Sequence, residues 1–137
     1  MEANKKIVVF GVFDGLHPGH QNFLEQASAF GDEINAIVAR DSVVERLKSR
    51  KTKHSETKRV SFLDQHELIA KVFLGDETEG EYLVLKNINP DLICLGYDQQ
   101  ALYQDLKTRI NQKELPAMEL SILDPHEPEK YHSSLFS

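Results

Sequence analysis

Five short apolar runs punctuate the chain, and the stretches between them carry apolar residues at three- and four-residue spacing. Lys6–Val12 is a β-branched run apolar on both faces, the pattern of a buried parallel strand. Pro18 to Phe30 predicts a helix, with proline in the first turn, Phe23, Leu24, Ala27 and Phe30 on one face, and Gly31 as the stop. Glu33–Ala39 predicts a second strand, followed by a helix from about Ser42 to Lys48 with Asp41 or Ser42 as its cap. Residues 49–55 predict a loop and Glu56–Ile69 a helix with Val60, Leu63 and Leu68 inward. Lys71–Leu74 is a third strand, closed by Gly75-Asp76. A helix over Glu81–Asn87 stops near Asn89-Pro90, because the residue before proline resists helical geometry. Asp91–Leu95 is the fourth strand, Ala101–Gln112 a helix through Leu102, Leu106 and Ile110, and Ala117–Leu123 the fifth strand. The polar, proline-interrupted stretch from Asp124 to Lys130 is expected to leave the core.

Strand and helix alternate with short connections. This predicts an α/β, doubly wound, five-stranded parallel sheet with helices on both faces. Ligands in such folds sit beyond the carboxyl ends of the strands, where the strand order reverses. With 137 residues and no linker or repeat, residues 1–137 are expected to form one domain.

Composition narrows the partners. No window approaches the ~18 consecutive apolar residues of a membrane span. Met1 lies only a few residues before the first strand, so no signal peptide is expected. A single cysteine, Cys94, set among Leu92, Ile93 and Leu95, reads as a buried strand residue and fits a reducing cytoplasm. The net charge of −6 argues against broad attraction to nucleic acid or an anionic membrane. Yet seven of the sixteen Lys and Arg fall within residues 46–59: Arg46, Lys48, Arg50, Lys51, Lys53, Lys58 and Arg59. A concentrated patch on an acidic chain points to a compact anionic ligand such as a phosphate, against the plainer reading of a solvated loop.

The segment Gly11-Val-Phe-Asp-Gly-Leu-His-Pro-Gly-His20 joins the first strand to the first helix. It lacks the patterns GxxxxGK[ST] and GxGxxG, but its chemistry is similar. Gly11 and Gly15 let backbone approach a ligand, and the helix behind them directs its positive amino end into the same crevice. His17 and His20 are three apart and share a side of the helix start, with Gly19 between them. Imidazoles there suit developing phosphate charge. A zinc site would need further ligands that the spacing does not supply, and a nucleophilic triad has no nucleophile beside a base.

These ten residues resemble the GxFDxxHxGH signature of the cytidylyltransferase-like (HxGH) nucleotidyltransferase superfamily. Asp32–Ser42, His54-Ser55 with Arg59, Phe73–Asp76 and Pro90–Gln99 resemble, in order, segments of two small branches: archaeal-type FAD synthase (FMN adenylyltransferase) and glycerol-3-phosphate cytidylyltransferase. The resemblance implies a Rossmann-like HxGH fold that binds an NTP with Mg2+ or another divalent cation. An acceptor phosphate would attack the α-phosphorus in line and release pyrophosphate. By the same resemblance His17, His20 and Lys51 are catalytic. Gly11, Val12, Phe13, Gly19, Lys48, Asp98, Ser133 and Ser134 bind the nucleotide. Asp14 and Arg59 bind the acceptor, with Asp14 also a metal ligand. A homodimer is implied too.

The last seven residues, Tyr131-His-Ser-Ser-Leu-Phe-Ser137, match the family's closing motif at Ser133 and Ser134 only in part. His132 replaces a hydroxyl residue and Ser137 stands in the basic position. That departure implies either a weakened triphosphate grip or a truncated chain. Three functions are therefore expected in order. Adenylyl transfer from ATP to FMN leads, favoured by Val38–Ser42 and Ile93–Gln99. Cytidylyl transfer from CTP to glycerol 3-phosphate or a similar polar phosphate follows, then a non-catalytic nucleotide-binding module.

Overall fold

The computed structural model describes residues 5–15, 18–48, 51–78 and 80–124, with the backbone alone of Lys48. Five strands, β1 (Lys6–Gly11), β2 (Glu33–Val38), β3 (Lys71–Leu74), β4 (Leu92–Leu95) and β5 (Glu119–Ile122), form one sheet in the order β3-β2-β1-β4-β5. Every neighbouring pair is parallel, as the doubly wound pattern predicts. In register, Ile7 lies opposite both Ile34 and Leu92.

Side chains alternate across the sheet with the two-residue period of a strand. On one face Ile7, Val9, Ile34, Ala36, Val38 and Cys94 pack against α1 (Pro18–Ser28) and α3 (Glu56–Asp64) through Phe23, Leu24, Ala27 and Leu63. On the other, Val8, Ile37, Ile93 and Leu95 pack against α4 (Leu83–Ile88) and α5 (Gln100–Asn111) through Leu85, Ile88 and Leu106. Helix α2 (Asp41–Lys48) lies between β2 and α3 in the chain. The connections that leave β1 and β4 therefore run to opposite faces, and a crevice opens between the ends of these two strands. Cys94 is buried as expected, and burial pushes its thiol up to about 12.

Several elements differ from their expected bounds, each for a local reason. The third helix stops at Asp64 rather than Ile69. There the His66 ring accepts the Leu68 N–H at 3.1 Å and donates its other nitrogen to Gln21 at 2.7 Å, replacing the helical ladder. Helix α4 starts at Leu83 because Asp76 accepts the N–H groups of Leu83 (2.7 Å) and Val84 (3.1 Å). Helix α1 ends at Ser28, so Phe30 falls beyond it and is 45% exposed rather than inward. Gly31 permits close approach instead of stopping the helix: a Cβ there would lie 2.7 Å from the Lys5 carbonyl.

Candidate active site

The loop after β1 is shaped from beneath by one aromatic ring. Phe13 is fully buried and adopts a left-handed backbone (φ 53°). Its ring folds back under Gly11, where a Cβ would come within 2.7 Å of it. Gly15 (φ 90°) closes the reversal by donating its N–H to the Phe13 carbonyl at 2.9 Å. Helix α1 then begins at Pro18 with no acidic side chain in its first turn, so nothing within that turn offsets its positive end. Gly19 and His20 are both buried. His20 is 3% exposed, its ring 5.5 Å from that of Phe13. This packing sets the His20 ring against the aromatic side chain that shapes the loop. His17 lies outside the described residues.

Arg59 joins the parts of this region. Its side chain is fully buried, and its guanidinium donates to the carbonyls of Val12 (2.8 Å), Ala39 (2.7 Å) and His54 (3.1 Å). It closes on the Asp41 carboxylate at 2.6 Å, which neutralises the buried charge. The ends of β1 and β2, the basic loop and the start of α2 thus converge on one side chain. Its expected role as an acceptor ligand is corrected: a fully buried fork already committed to these four partners braces the site from behind. Asp41 does not cap its own helix as expected. Its carboxylate accepts the Glu56 N–H at 3.1 Å, while Glu56 accepts the Asp41 N–H at 2.7 Å, so each helix start is held by the other's carboxylate.

Asp14 ties the phosphate-type loop to the basic segment. It accepts the N–H of Lys53 at 2.6 Å and of His54 at 2.9 Å, and its Oδ1 lies 3.1 Å from the His54 ring. Burial acts to raise its pKa, but these bonds outweigh burial and hold the carboxyl below its ordinary range. Asp41 is held low in the same way, with burial opposed by Arg59, the Glu56 N–H and Thr52. Both Asp14 oxygens thus serve the chain, and among the described residues no group of three His, Cys, Asp or Glu side chains could hold a metal ion. The expected metal role of Asp14 does not fit this donor set.

A cleft of about 570 Å³ opens beside the loop, on the α4–α5 face. Gly11, Val12 and Asp98 are among the residues that line it. Its walls are mostly apolar, with Phe10, Ile37, Val43, Leu47, Tyr82 and Leu102 among them. Tyr82 is fixed from α5: its hydroxyl donates to Asp105 at 2.5 Å, and the Arg109 guanidinium lies 5.4 Å from its ring centre. Gln99 spans the crevice between β1 and β4, donating to the Phe10 carbonyl at 3.1 Å and accepting the Gly96 N–H at 2.8 Å. Lys51 is exposed, and the side chain of Lys48, like Ser133 and Ser134, falls outside what the structure describes.

His54, Gln99 and Tyr82 were not singled out as site residues. The signal for His54 was its place beside Ser55, which accepts the Lys58 N–H as the cap of α3. Its partner lies 40 residues away, which spacing does not reveal.

Known proteins share this sequence pattern and this fold. A family described as cytidylyltransferase-like matches residues 8–136. The chain is 39% identical over 119 residues to an FAD synthase of Thermococcus sibiricus, covering 85% of this chain and 80% of that one. It is 42% identical over 112 residues to an FAD synthase of Methanosarcina barkeri, covering 82% and 78%. A solved structure titled as a lipopolysaccharide core biosynthesis protein of Thermoplasma volcanium superposes with a TM-score of 0.81 at 28% identity. It covers 91% of this chain and 100% of that chain.

Proposed function

The chain belongs to the cytidylyltransferase-like family and is a nucleotidyltransferase, and on that premise we propose that it adenylylates FMN to make FAD. The observation that carries the choice of acceptor is the cleft: an apolar chamber of about 570 Å³ beside the Gly11–Val12 backbone suits a flat ring system. A polyol phosphate such as glycerol 3-phosphate would leave its hydroxyls facing Phe10, Val43, Leu47 and Leu102 without partners.

In this reading an oxygen of the FMN phosphate attacks the α-phosphorus of ATP. The bond from that phosphorus to the bridging oxygen breaks, and pyrophosphate leaves with the electron pair. No covalent enzyme intermediate is needed, so rate enhancement comes from alignment and charge stabilisation. The N–H groups around Val12 and Phe13 and the start of α1 receive phosphate oxygens. His17, His20 and Lys51 steady the charge that develops as the bond breaks, with Lys48, Ser133 and Ser134 on the triphosphate. Asp98 reads the nucleotide. Magnesium enters as part of the ATP complex, since phosphate oxygens are its usual ligands. The reading includes a homodimer in the cytoplasm that acts on small molecules and not on nucleic acid or membranes. No helix among the described residues is long and apolar enough to cross a membrane.

The test is a panel of ATP and CTP against FMN and glycerol 3-phosphate, followed by pyrophosphate release. ATP with FMN should dominate. Use of CTP with refusal of ATP would overturn the proposal, and silence across the panel would favour a binding module.

A further inference from the structure

Arg40 follows β2 and lines the cleft. Among the described residues lining the cleft it is the one Lys or Arg, set against Asp76 and Asp98. Its Nε donates to the Gly75 carbonyl at 2.7 Å, which fixes the plane of the guanidinium at the end of β3. No described residue accepts from its two terminal amino groups, and no described carboxylate pairs with it. The adjacent Asp41 is turned instead to Arg59. The backbone on both sides is held: Ala39 donates to the Gly11 carbonyl at 3.0 Å, and the Arg40 carbonyl accepts from Val43 and Val44 at 3.0 Å each. Asp76 is occupied in capping α4. An oriented cation therefore sits in a mostly apolar chamber, and through Ala39 it is tied to the loop on which the reaction would occur.

We propose that Arg40 is an acceptor-binding residue whose terminal amino groups hold the phosphomonoester of the incoming flavin mononucleotide. The inference rests on the FMN reading given above. Its physical basis is a need common to any such transfer: a phosphate dianion must approach a triphosphate inside a protein of net charge −6. A planar guanidinium receives two phosphate oxygens at once and lowers that repulsion, while the apolar walls take the ring. Arg40 thus selects for a phosphorylated flavin over the unphosphorylated one.

The test titrates the whole protein with FMN and, separately, with riboflavin, and reads the flavin fluorescence. The wild type should bind FMN about tenfold or more tighter than riboflavin. Arg40→Gln should remove that preference, weakening FMN about tenfold or more while leaving riboflavin within about twofold. If the two flavins weaken together, or neither changes, Arg40 only braces Gly75 and the inference is overturned. Arg40→Lys keeps the charge without the fork and should retain part of the preference. It serves if the glutamine variant does not fold, and equal loss of both flavins in the lysine variant likewise overturns the inference. A wild type that binds neither flavin instead removes the FMN reading, a separate result from a wild type that binds both equally well.

Discussion

Asp14 and His54, 40 residues apart, meet through two contacts: the His54 N–H donates to Asp14 at 2.9 Å, and the imidazole Nδ1 lies 3.1 Å from the same oxygen. With the Lys53 N–H on the other oxygen, one carboxylate holds the basic segment against the loop that turns into α1. His54 is steadied from behind by the edge-on ring of Phe62, 5.0 Å away. The backbone at Lys53 and His54 is thereby held in place.

This latch has a defined pH dependence. The folded-state pKa of Asp14 is depressed, so its stabilising effect is full above the ordinary carboxylate value of 3.8 and is lost as pH falls through the lower folded value. Urea unfolding of wild type and Asp14→Asn should show a stability gap near neutrality that shrinks below pH 3.8. A gap that stays constant into acid would contradict the latch.

Removing Arg59 should cost more than removing any exposed charge of the same segment. Arg59→Met leaves the Val12 and Ala39 carbonyls and the Asp41 carboxylate without their partner. The expected loss is about 3–5 kcal/mol, whereas Lys58→Met, at an exposed position, should fall within about 0.5 kcal/mol. Thermal denaturation of the two variants makes the comparison.

Gly11→Ala should strain the loop from below. The new methyl would stand 2.7 Å from the buried Phe13 ring, which has little room to withdraw. Overpacking of this kind costs about 1–3 kcal/mol. Calorimetry should show that loss, together with a raised KM for ATP as the backbone lining the cleft shifts.

His20→Ala should lower kcat by about 100- to 1000-fold, the scale of losing one charge-stabilising group. Because the ring is buried against Phe13, the variant should also melt at a lower temperature than wild type. Steady-state kinetics and a melting curve on one preparation check both effects.

All five strands were legible because each is a short apolar run between turn residues, and β3 falls on its expected bounds. Helix ends were less legible. The apolar repeat carried Phe30 past the real end of α1, and the break after Asp64 depends on His66 bonding to Gln21 in another helix. The motif from Gly11 to His20 was plain in the sequence, but the burial of His20 and Arg59 was not, since each depends on packing from distant segments. The cleft is assembled from residues following β1, β2, β3 and β4, a convergence that local spacing does not encode.

The central claim is tested most directly by incubating the protein with FMN and ATP–magnesium and separating the flavins by chromatography. The account predicts that FAD appears in a one-to-one ratio with pyrophosphate. Flavin recovered wholly as FMN, while the same preparation turns over CTP with glycerol 3-phosphate, would contradict it.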